Sequence, residues 1–211
     1  MPYVKTIDYS DLQTGRLECF QRFGNMEDFP VVSSPYAECK RAYRGGKVLD
    51  VGAGAPRPLS RVLGLGEGTY YALDTDPGGT FEFASYDDIP PGLQFDLVVM
   101  NQVLEHLTVD DAHASVERAF AVTRSGGALV VSVPNAQHPV RYDSNVTHVT
   151  NWNHCDLFGM IRLVGYEVEA VLRSNKRRLT RNPLRRWVVR VVCKEFRVDW
   201  CDTLIITARK P

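Results

Sequence analysis

The sequence predicts an α/β protein built on a mostly parallel sheet. After residue 46, short apolar runs alternate with longer segments of helical periodicity, and this alternation is typical of βαβ units. The run from Phe95 to Met100 is nearly all apolar, as expected for a central strand that is buried on both faces. With 211 residues and 44% hydrophobic residues, the chain suits one compact domain with a single core.

The elements can be predicted in order along the chain. The predicted strands are Lys47 to Val51, Tyr70 to Leu73, Phe81 to Ala84, Phe95 to Met100, Ala128 to Val133, Glu167 to Leu172 and Thr203 to Ala208. Thr108 with Asp111 resembles a capping box, so a helix is expected to begin there and to end at the pair Gly126 and Gly127. A second predicted helix covers Leu157 to Leu163 and stops at Gly165.

Residues 1–46 differ from the rest because they carry many aromatic side chains without a strand rhythm. These side chains are Tyr3, Tyr9, Phe20, Phe23, Phe29, Tyr36 and Tyr43. We interpret the segment as an N-terminal lid or helical extension, with a short helix from Tyr36 to Tyr43. Residues 47–211 then form the main domain, which includes a basic insertion at about residues 173–200.

Composition restricts the function classes. The 25 basic and 25 acidic residues give a net charge of zero, so an anionic partner can be argued only from local clustering. The cysteines are odd in number and contain no C-x-x-C pair, which indicates reduced thiols and a cytoplasmic protein. The start of the chain has no basic patch followed by an apolar run, which argues against secretion.

A glycine-rich turn follows the first predicted strand. The stretch from Val48 to Ala55 places Gly52 and Gly54 where a strand must turn sharply into a helix. Glycine permits positive φ and lets a ligand approach the backbone, and the start of a helix presents unpaired N–H groups. Asp74 ends the second predicted strand, at the distance where a carboxylate can accept both hydroxyls of an adenosine ribose. The pattern therefore predicts a nucleoside pocket.

Two classes of nucleoside share this geometry. A dinucleotide site expects a third glycine where this chain has Arg57, and the larger side chain would obstruct the pyrophosphate. Asp50 favours a ligand with an ammonium group and a sulfonium cation, such as S-adenosylmethionine. An NAD-dependent oxidoreductase remains an alternative hypothesis for the function, and it rests on fold analogy alone.

The segments V-L-D-V-G-A-G, A-L-D-T-D and F-D-L-V-V-M-N-Q-V-L-E-H-L resemble the ordered motifs of class I S-adenosylmethionine-dependent methyltransferases. The resemblance spans roughly Lys47 to Leu172. It implies a Rossmann-like, mostly parallel seven-stranded sheet with helices on both faces and a final antiparallel strand. One position departs from the family pattern, since Pro56 stands where the family usually has a third glycine, although proline can still open a helix.

The resemblance also implies cofactor-binding residues. Asp50, Gly52, Ala53 and Gly54 would line the methionine portion, Asp74 the ribose, Thr75 with Ser85, Tyr86 and Asp87 the adenine, and Asn101 with Gln102 the amino-acid end. Methyl transfer needs an aligned nucleophile, and a base helps when the acceptor carries a proton. Glu105 and His106, after the central strand, and His148, in a long polar loop, are the catalytic candidates. We interpret His138 and His154 as structural residues.

A weaker resemblance connects the chain to small-RNA 3′-terminal ribose methyltransferases, in which a divalent metal is held by two glutamates and two histidines. This sequence supplies Gln102, Glu105, His106 and His148. Because the first carboxylate is replaced by an amide, Mg²⁺ binding should be weaker. No metal is therefore included in the main prediction.

The residues from Arg173 to Arg190 are strongly basic and contain no acid. This stretch could contact phosphate, nucleic acid or a membrane surface, or it could hold an acidic substrate. It could also be a solvated insertion with one docked apolar face. The main hypothesis is methyl transfer to a hydroxyl or amine of a small metabolite, sugar or lipid-linked acceptor. The alternatives are RNA 2′-O-ribose methylation with a divalent metal and a non-catalytic S-adenosylmethionine-binding scaffold.

Overall fold

A computed structural model describes residues 9–141, 145–175 and 182–211. The strands are β1 (Val31–Val32), β2 (Val48–Val51), β3 (Tyr70–Leu73), β4 (Phe95–Asn101), β5 (Thr123–Pro134), β6 (Glu167–Ser174) and β7 (Thr203–Arg209). The α-helices are α1 (Tyr9–Phe23), α2 (Pro35–Ala42), α3 (Pro58–Leu63), α4 (Val109–Val122), α5 (His154–Val164) and α6 (Pro183–Phe196). Single 3₁₀ turns cover Met26–Asp28, Tyr86–Asp88 and Leu104–His106.

The strands form one seven-stranded sheet in the order β1-β6-β7-β5-β4-β2-β3. Only β7 runs antiparallel to its neighbours, β5 and β6, whereas the other pairs are parallel. Buried residues of α1, α4 and α5 join the core on one face of the sheet, and those of α2 and α3 join the core on the other. The predicted fold class is confirmed, including the helices on both faces and the final antiparallel strand.

Two predicted features are wrong. Phe81 to Ala84 is not a strand, because only Phe83 forms an isolated bridge, to Leu73. The glycine pair does not end α4, because the helix already stops at Val122 and both glycines lie inside β5. They occupy the part of β5 where its pairing with β4 shifts register. The glycines therefore lie at an irregularity of the strand and not at the end of the helix.

The N-terminal segment contributes to the sheet and to both helical layers. Its strand β1 pairs with β6 at the sheet edge, and α2 confirms the short helix predicted from Tyr36 to Tyr43. Helix α1, which the sequence pattern did not reveal, crosses α5 where Gly15 meets Gly159, and a Cβ on Gly15 would overlap the Gly159 backbone. Tyr3 lies outside the described residues. Among those described, no helix is both long enough and apolar enough to cross a membrane.

Candidate active site

The turn between β2 and α3 requires glycine at two positions. Gly52 and Gly54 have φ values of 68° and 62°, in the left-handed region that other residues adopt only at a cost. A Cβ on Gly52 would also overlap Val103 Cγ2. The following helix begins at Pro58, so Pro56 does not open it, and Arg57 is the N-cap with a left-handed φ of 44°.

Three sheet positions meet at the carboxyl edge beside this turn. The register pairs Val51 with Leu73 on one side and with Met100 on the other, so Gly52, Asp74 and Asn101 follow at the same edge. This edge is where open α/β sheets bind their ligands. The Asp74 carboxylate accepts hydrogen bonds from Gly54 N at 2.8 Å and from Asp76 N at 2.9 Å, so the side chain is held against the turn.

Asp50 lies beneath the turn and is only 4% exposed. The Tyr70 hydroxyl donates to Asp50 Oδ2 at 2.6 Å. Burial raises the pKa of the Asp50 carboxyl to about 6, although the hydrogen bond from Tyr70 opposes the rise. Asp50 is therefore a carboxylic acid of raised pKa beneath the turn. Its contact with a ligand ammonium group stays a prediction.

The residues predicted to contact adenine form a short capped turn after β3. Ser85 Oγ accepts from Asp87 N at 3.2 Å and so caps the 3₁₀ turn Tyr86–Asp88. Asp87 forms an ion pair with Arg118 at 2.7 Å, and Tyr86 Oη lies 3.4 Å from Ser115 Oγ. Thr75 is exposed directly after Asp74. Asp74 N donates to the Phe83 carbonyl at 3.1 Å, which holds the segment leading into this turn against Asp74, and adenine contact remains a prediction.

Asn101 and Gln102 continue the edge after β4. Asn101 Nδ2 donates to Tyr36 Oη at 3.2 Å, and Asn101 Oδ1 accepts from Ser132 Oγ at 2.5 Å. Gln102 adopts a left-handed φ of 59°, and its Oε1 accepts from Arg141 at 3.0 Å. The sequence analysis missed Tyr36, Ser132 and Arg141. Ser132 could have been found, since it is the one polar residue near the end of a predicted apolar strand, two residues before a proline.

Glu105, His106 and His148 lie together, as their predicted catalytic roles require. One potential ligand atom from each lies within 4.8 Å of the others, and the two imidazole centroids are 5.1 Å apart. The loop after β5 is held to the 3₁₀ turn Leu104–His106, because Val149 N donates to the Glu105 carbonyl at 2.7 Å and Trp152 Nε1 to the Leu104 carbonyl at 3.0 Å.

The Glu105 side chain is 1% exposed, and neither carboxyl oxygen has a hydrogen-bond partner among the described residues. Burial raises the pKa of Glu105 to about 7, against a smaller lowering effect of its own backbone and of Arg141. An acid with this pKa can change its charge near neutral pH.

The two histidines predicted to be structural, His138 and His154, lie outside this cluster. His154 is the first residue of α5, and its ring contacts Phe29 edge-on at 5.1 Å. His138 Nδ1 accepts from Val140 N at 3.4 Å, and burial lowers the pKa of His138. These contacts agree with structural roles.

The fold and the site define a nucleoside-binding α/β domain with a glycine turn and an acid at the adjacent strand end. A family model described as a methyltransferase domain matches residues 29–171, more than half of the chain. The protein therefore belongs to the class I S-adenosylmethionine-dependent methyltransferases, and S-adenosylmethionine is its cofactor.

Solved structures of this fold are similar over most of the chain. An S-adenosylmethionine-dependent methyltransferase from Archaeoglobus fulgidus has a TM-score of 0.62 and 16% identity, covering 96% of this chain and 100% of its own. The [4+2]-cyclase SpnF has a TM-score of 0.58 and 20% identity, covering 83% and 79%. The 1,6-didemethyltoxoflavin-N1-methyltransferase of Burkholderia thailandensis, with bound S-adenosylhomocysteine, has a TM-score of 0.51 and 17% identity, covering 96% and 79%. No curated protein matches the sequence.

Proposed function

We propose that the enzyme methylates a hydroxyl or amine of a small metabolite, a sugar or a lipid-linked acceptor. The observation that carries this proposal is the buried Glu105 carboxyl beside two imidazoles at the end of β4. A hydroxyl or ammonium acceptor must lose a proton when it takes the methyl group, and a positioned base assists that loss. A cluster of bases therefore suits an acceptor that carries a proton better than an acceptor that carries none.

His106 is the group that takes the proton in this proposal. Its Nδ1 lies 3.1 Å from the Thr147 carbonyl oxygen, which can only accept a hydrogen bond. We therefore assign the proton of the neutral ring to Nδ1 and the lone pair to Nε2. The His106 side chain is exposed, so Nε2 can reach an acceptor at the mouth of the site.

Glu105 acts through the histidines, since its burial keeps it from the acceptor. Its carboxylate would stabilise the imidazolium that forms on proton transfer, because an opposite charge nearby favours the charged ring. His148, whose ring packs edge-on against His106, would hold that ring in place or share its proton. This division makes His106 the catalytic residue and Glu105 a positioning residue.

S-adenosylmethionine supplies a methyl group on a sulfonium sulfur. In this proposal Asp74 holds the ribose, and the capped turn that includes Ser85 and Asp87 lies along the adenine. The glycine turn and Asn101 hold the amino-acid end. Their common task is to fix the sulfonium so that the acceptor can approach in line with the methyl group.

The test is transfer of labelled methyl groups to a panel of small hydroxyl and amine compounds, sugars and lipid-linked sugars. With an accepted compound, His106→Gln should lower the turnover about 100-fold or more, while the affinity for S-adenosylhomocysteine stays unchanged. His138→Gln, in the loop after β5, is the matched control and should keep full turnover. Full turnover in both His106→Gln and Glu105→Gln would refute the assigned roles.

A second candidate is RNA ribose methylation with a divalent metal. The observation that favours it is the same cluster, because Glu105, His106 and His148 could each offer one ligand atom to a single ion. Carboxylate and imidazole together suit Mn²⁺ or Zn²⁺ better than Mg²⁺. Methylation of a small RNA that a chelator abolishes and Mn²⁺ restores would support this candidate over the first.

A further inference from the structure

Helix α6 packs only loosely against the described part of the chain. It is 14 residues long, and none of its residues is buried. Only Val189 and Cys193 are half-buried, on the side of the helix that lines a cavity together with Val31, Asp199 and Cys201. An isolated helix of this length is marginally stable in water, because most helical stability in proteins comes from packing an apolar face. The helix therefore needs a surface outside its own domain.

One face of α6 is apolar and exposed to solvent. Its five side chains follow the i, i+3, i+4, i+7, i+8 spacing that places residues on one side of a helix. They are Leu184, Trp187, Val188, Val191 and Val192, with exposed fractions of 67, 62, 45, 46 and 43%. An exposed apolar patch with a polar rim marks an interaction site.

Cations flank this face. Helical geometry places Arg185 beside one edge of the apolar face and Lys194 with Arg190 beside the other. Arg186 also lies on the helix, and Arg197 caps its end. Within the described residues none of these five cations forms an ion pair. Glu195, the one acid of the helix, lies in its last turn on the same side as the apolar face, so the continuous apolar face extends from Leu184 to Val192. Lys176, Arg177, Arg178 and Arg181 precede the helix but lie outside the described residues.

We propose that α6 lies in the surface of an anionic lipid membrane, with its apolar face among the acyl chains and its cations on the headgroups. An amphipathic helix with a basic polar face and a tryptophan on its apolar face has the composition of an interfacial helix. A second copy of the chain would bring the same cations against one another, which opposes self-association. Nucleic acid would pair with the cations and leave five apolar side chains in water.

Arg173 is not part of this surface. Its guanidinium donates to Asp199 at 2.9 Å and to the carbonyls of Glu27 and Phe29, so it is held inside the domain. The docking surface is therefore confined to α6.

The experiment is flotation of the whole protein with vesicles of phosphatidylcholine alone or of equal parts of phosphatidylcholine and phosphatidylglycerol. We expect binding to the anionic vesicles only, and this binding should weaken with salt. The Leu184→Ala/Trp187→Ala variant should reduce the binding about tenfold or more, because less apolar surface enters the membrane. The Arg185→Glu/Arg190→Glu variant should reduce it similarly, whereas Lys40→Glu/Arg44→Glu, which has the same net charge, should bind like the unmodified protein.

A second readout uses the tryptophan itself. Trp187 is 62% exposed, Trp200 is 44% exposed and Trp152 is 3% exposed. Anionic vesicles should shift the emission to shorter wavelength, and Trp187→Phe should remove most of the shift, whereas Trp200→Phe, outside α6, should keep it. Because α6 has no buried residue, all variants should retain the helical signal and S-adenosylhomocysteine affinity of the unmodified protein.

Several outcomes would overturn the proposal. Absence of vesicle binding, or equal binding to neutral and anionic vesicles, contradicts it. Loss of binding in the charge variant but not in the apolar variant would instead indicate a phosphate or nucleic-acid surface. A dimer in solution that dissociates in the Leu184→Ala/Trp187→Ala variant would show that a second copy of the chain covers the apolar face.

Discussion

Replacing Gly52 with alanine tests whether the turn is shaped for the cofactor. The residue has a φ of 68°, and the left-handed region costs an alanine about 1–2 kcal/mol. The new Cβ would also overlap Val103 Cγ2, and such overpacking costs about 1–3 kcal/mol. The sum is roughly 3 kcal/mol, which corresponds to a fall in Tm of roughly 6–12 °C for a domain of this size. Because Val103 leads into the 3₁₀ turn of Glu105, cofactor affinity should fall at least about tenfold, or about 1.4 kcal/mol.

The assay is thermal unfolding together with calorimetric titration of S-adenosylhomocysteine. Gly64→Ala is the matched control, since Gly64 has a φ of 67° and no atom within 4 Å of an added Cβ. It should lose about 1–2 kcal/mol from backbone strain alone and bind the ligand normally. The double variant Gly52→Ala/Val103→Ala should recover part of the affinity. If Gly52→Ala loses no more stability than Gly64→Ala and binds the ligand normally, the reasoning is refuted.

Three further predictions concern other charged groups. Asp74→Asn should weaken binding of S-adenosylhomocysteine about tenfold or more, because a hydrogen bond to a charged acceptor contributes about 1.5–3 kcal/mol. The control Asp76→Asn should change this affinity little. Equal losses of affinity in calorimetric titration would contradict the assignment of Asp74 to the ribose. Burial raises the pKa of Glu105 to about 7, so the folded state retains a proton that the unfolded state releases near pH 4.3. The free energy of unfolding should therefore decline between about pH 4 and pH 7. Denaturant titrations across this pH range should show a smaller decline for Glu105→Gln and an unchanged decline for the exposed control Glu67→Gln. Arg173→Met leaves the buried Asp199 without its cation and should lower the free energy of unfolding by about 3–5 kcal/mol. A Tm similar to that of the exposed control Arg185→Met would show that the ion pair is unimportant for stability.

The sequence was sufficient to predict strands with strong local signals. Tyr70 to Leu73 matches β3 residue for residue, because buried parallel strands are continuous apolar runs. The capping pattern of Thr108 also holds, as its side chain accepts from Asp111 N. Phe81 to Ala84 has the same local appearance as a strand, but only tertiary pairing decides whether such a run joins the sheet.

Helix α1 shows why periodicity fails at close helix crossings. The face of α1 that meets α5 includes Gly15, which lies against Gly159, and the fully buried Cys19. Small residues let two helix backbones approach but produce little hydrophobic periodicity. A pattern based on large apolar residues therefore does not reveal the helix.

The candidate site was predictable in its cofactor half, because Gly52 and Asp74 follow strands whose order fixes where they meet. The catalytic half depends on a contact between residues more than 40 positions apart, which sequence spacing cannot supply. Val149 and Thr150 donate to the Glu105 carbonyl, and these bonds bring the loop that carries His148 against His106. The same loop packs over the turn in which Glu105 is buried, and burial is the main cause of the raised pKa of Glu105. One docked loop therefore both assembles the proposed base and adjusts the acid behind it, so a change that loosens the loop should lower the pKa of Glu105 and separate the two imidazoles together.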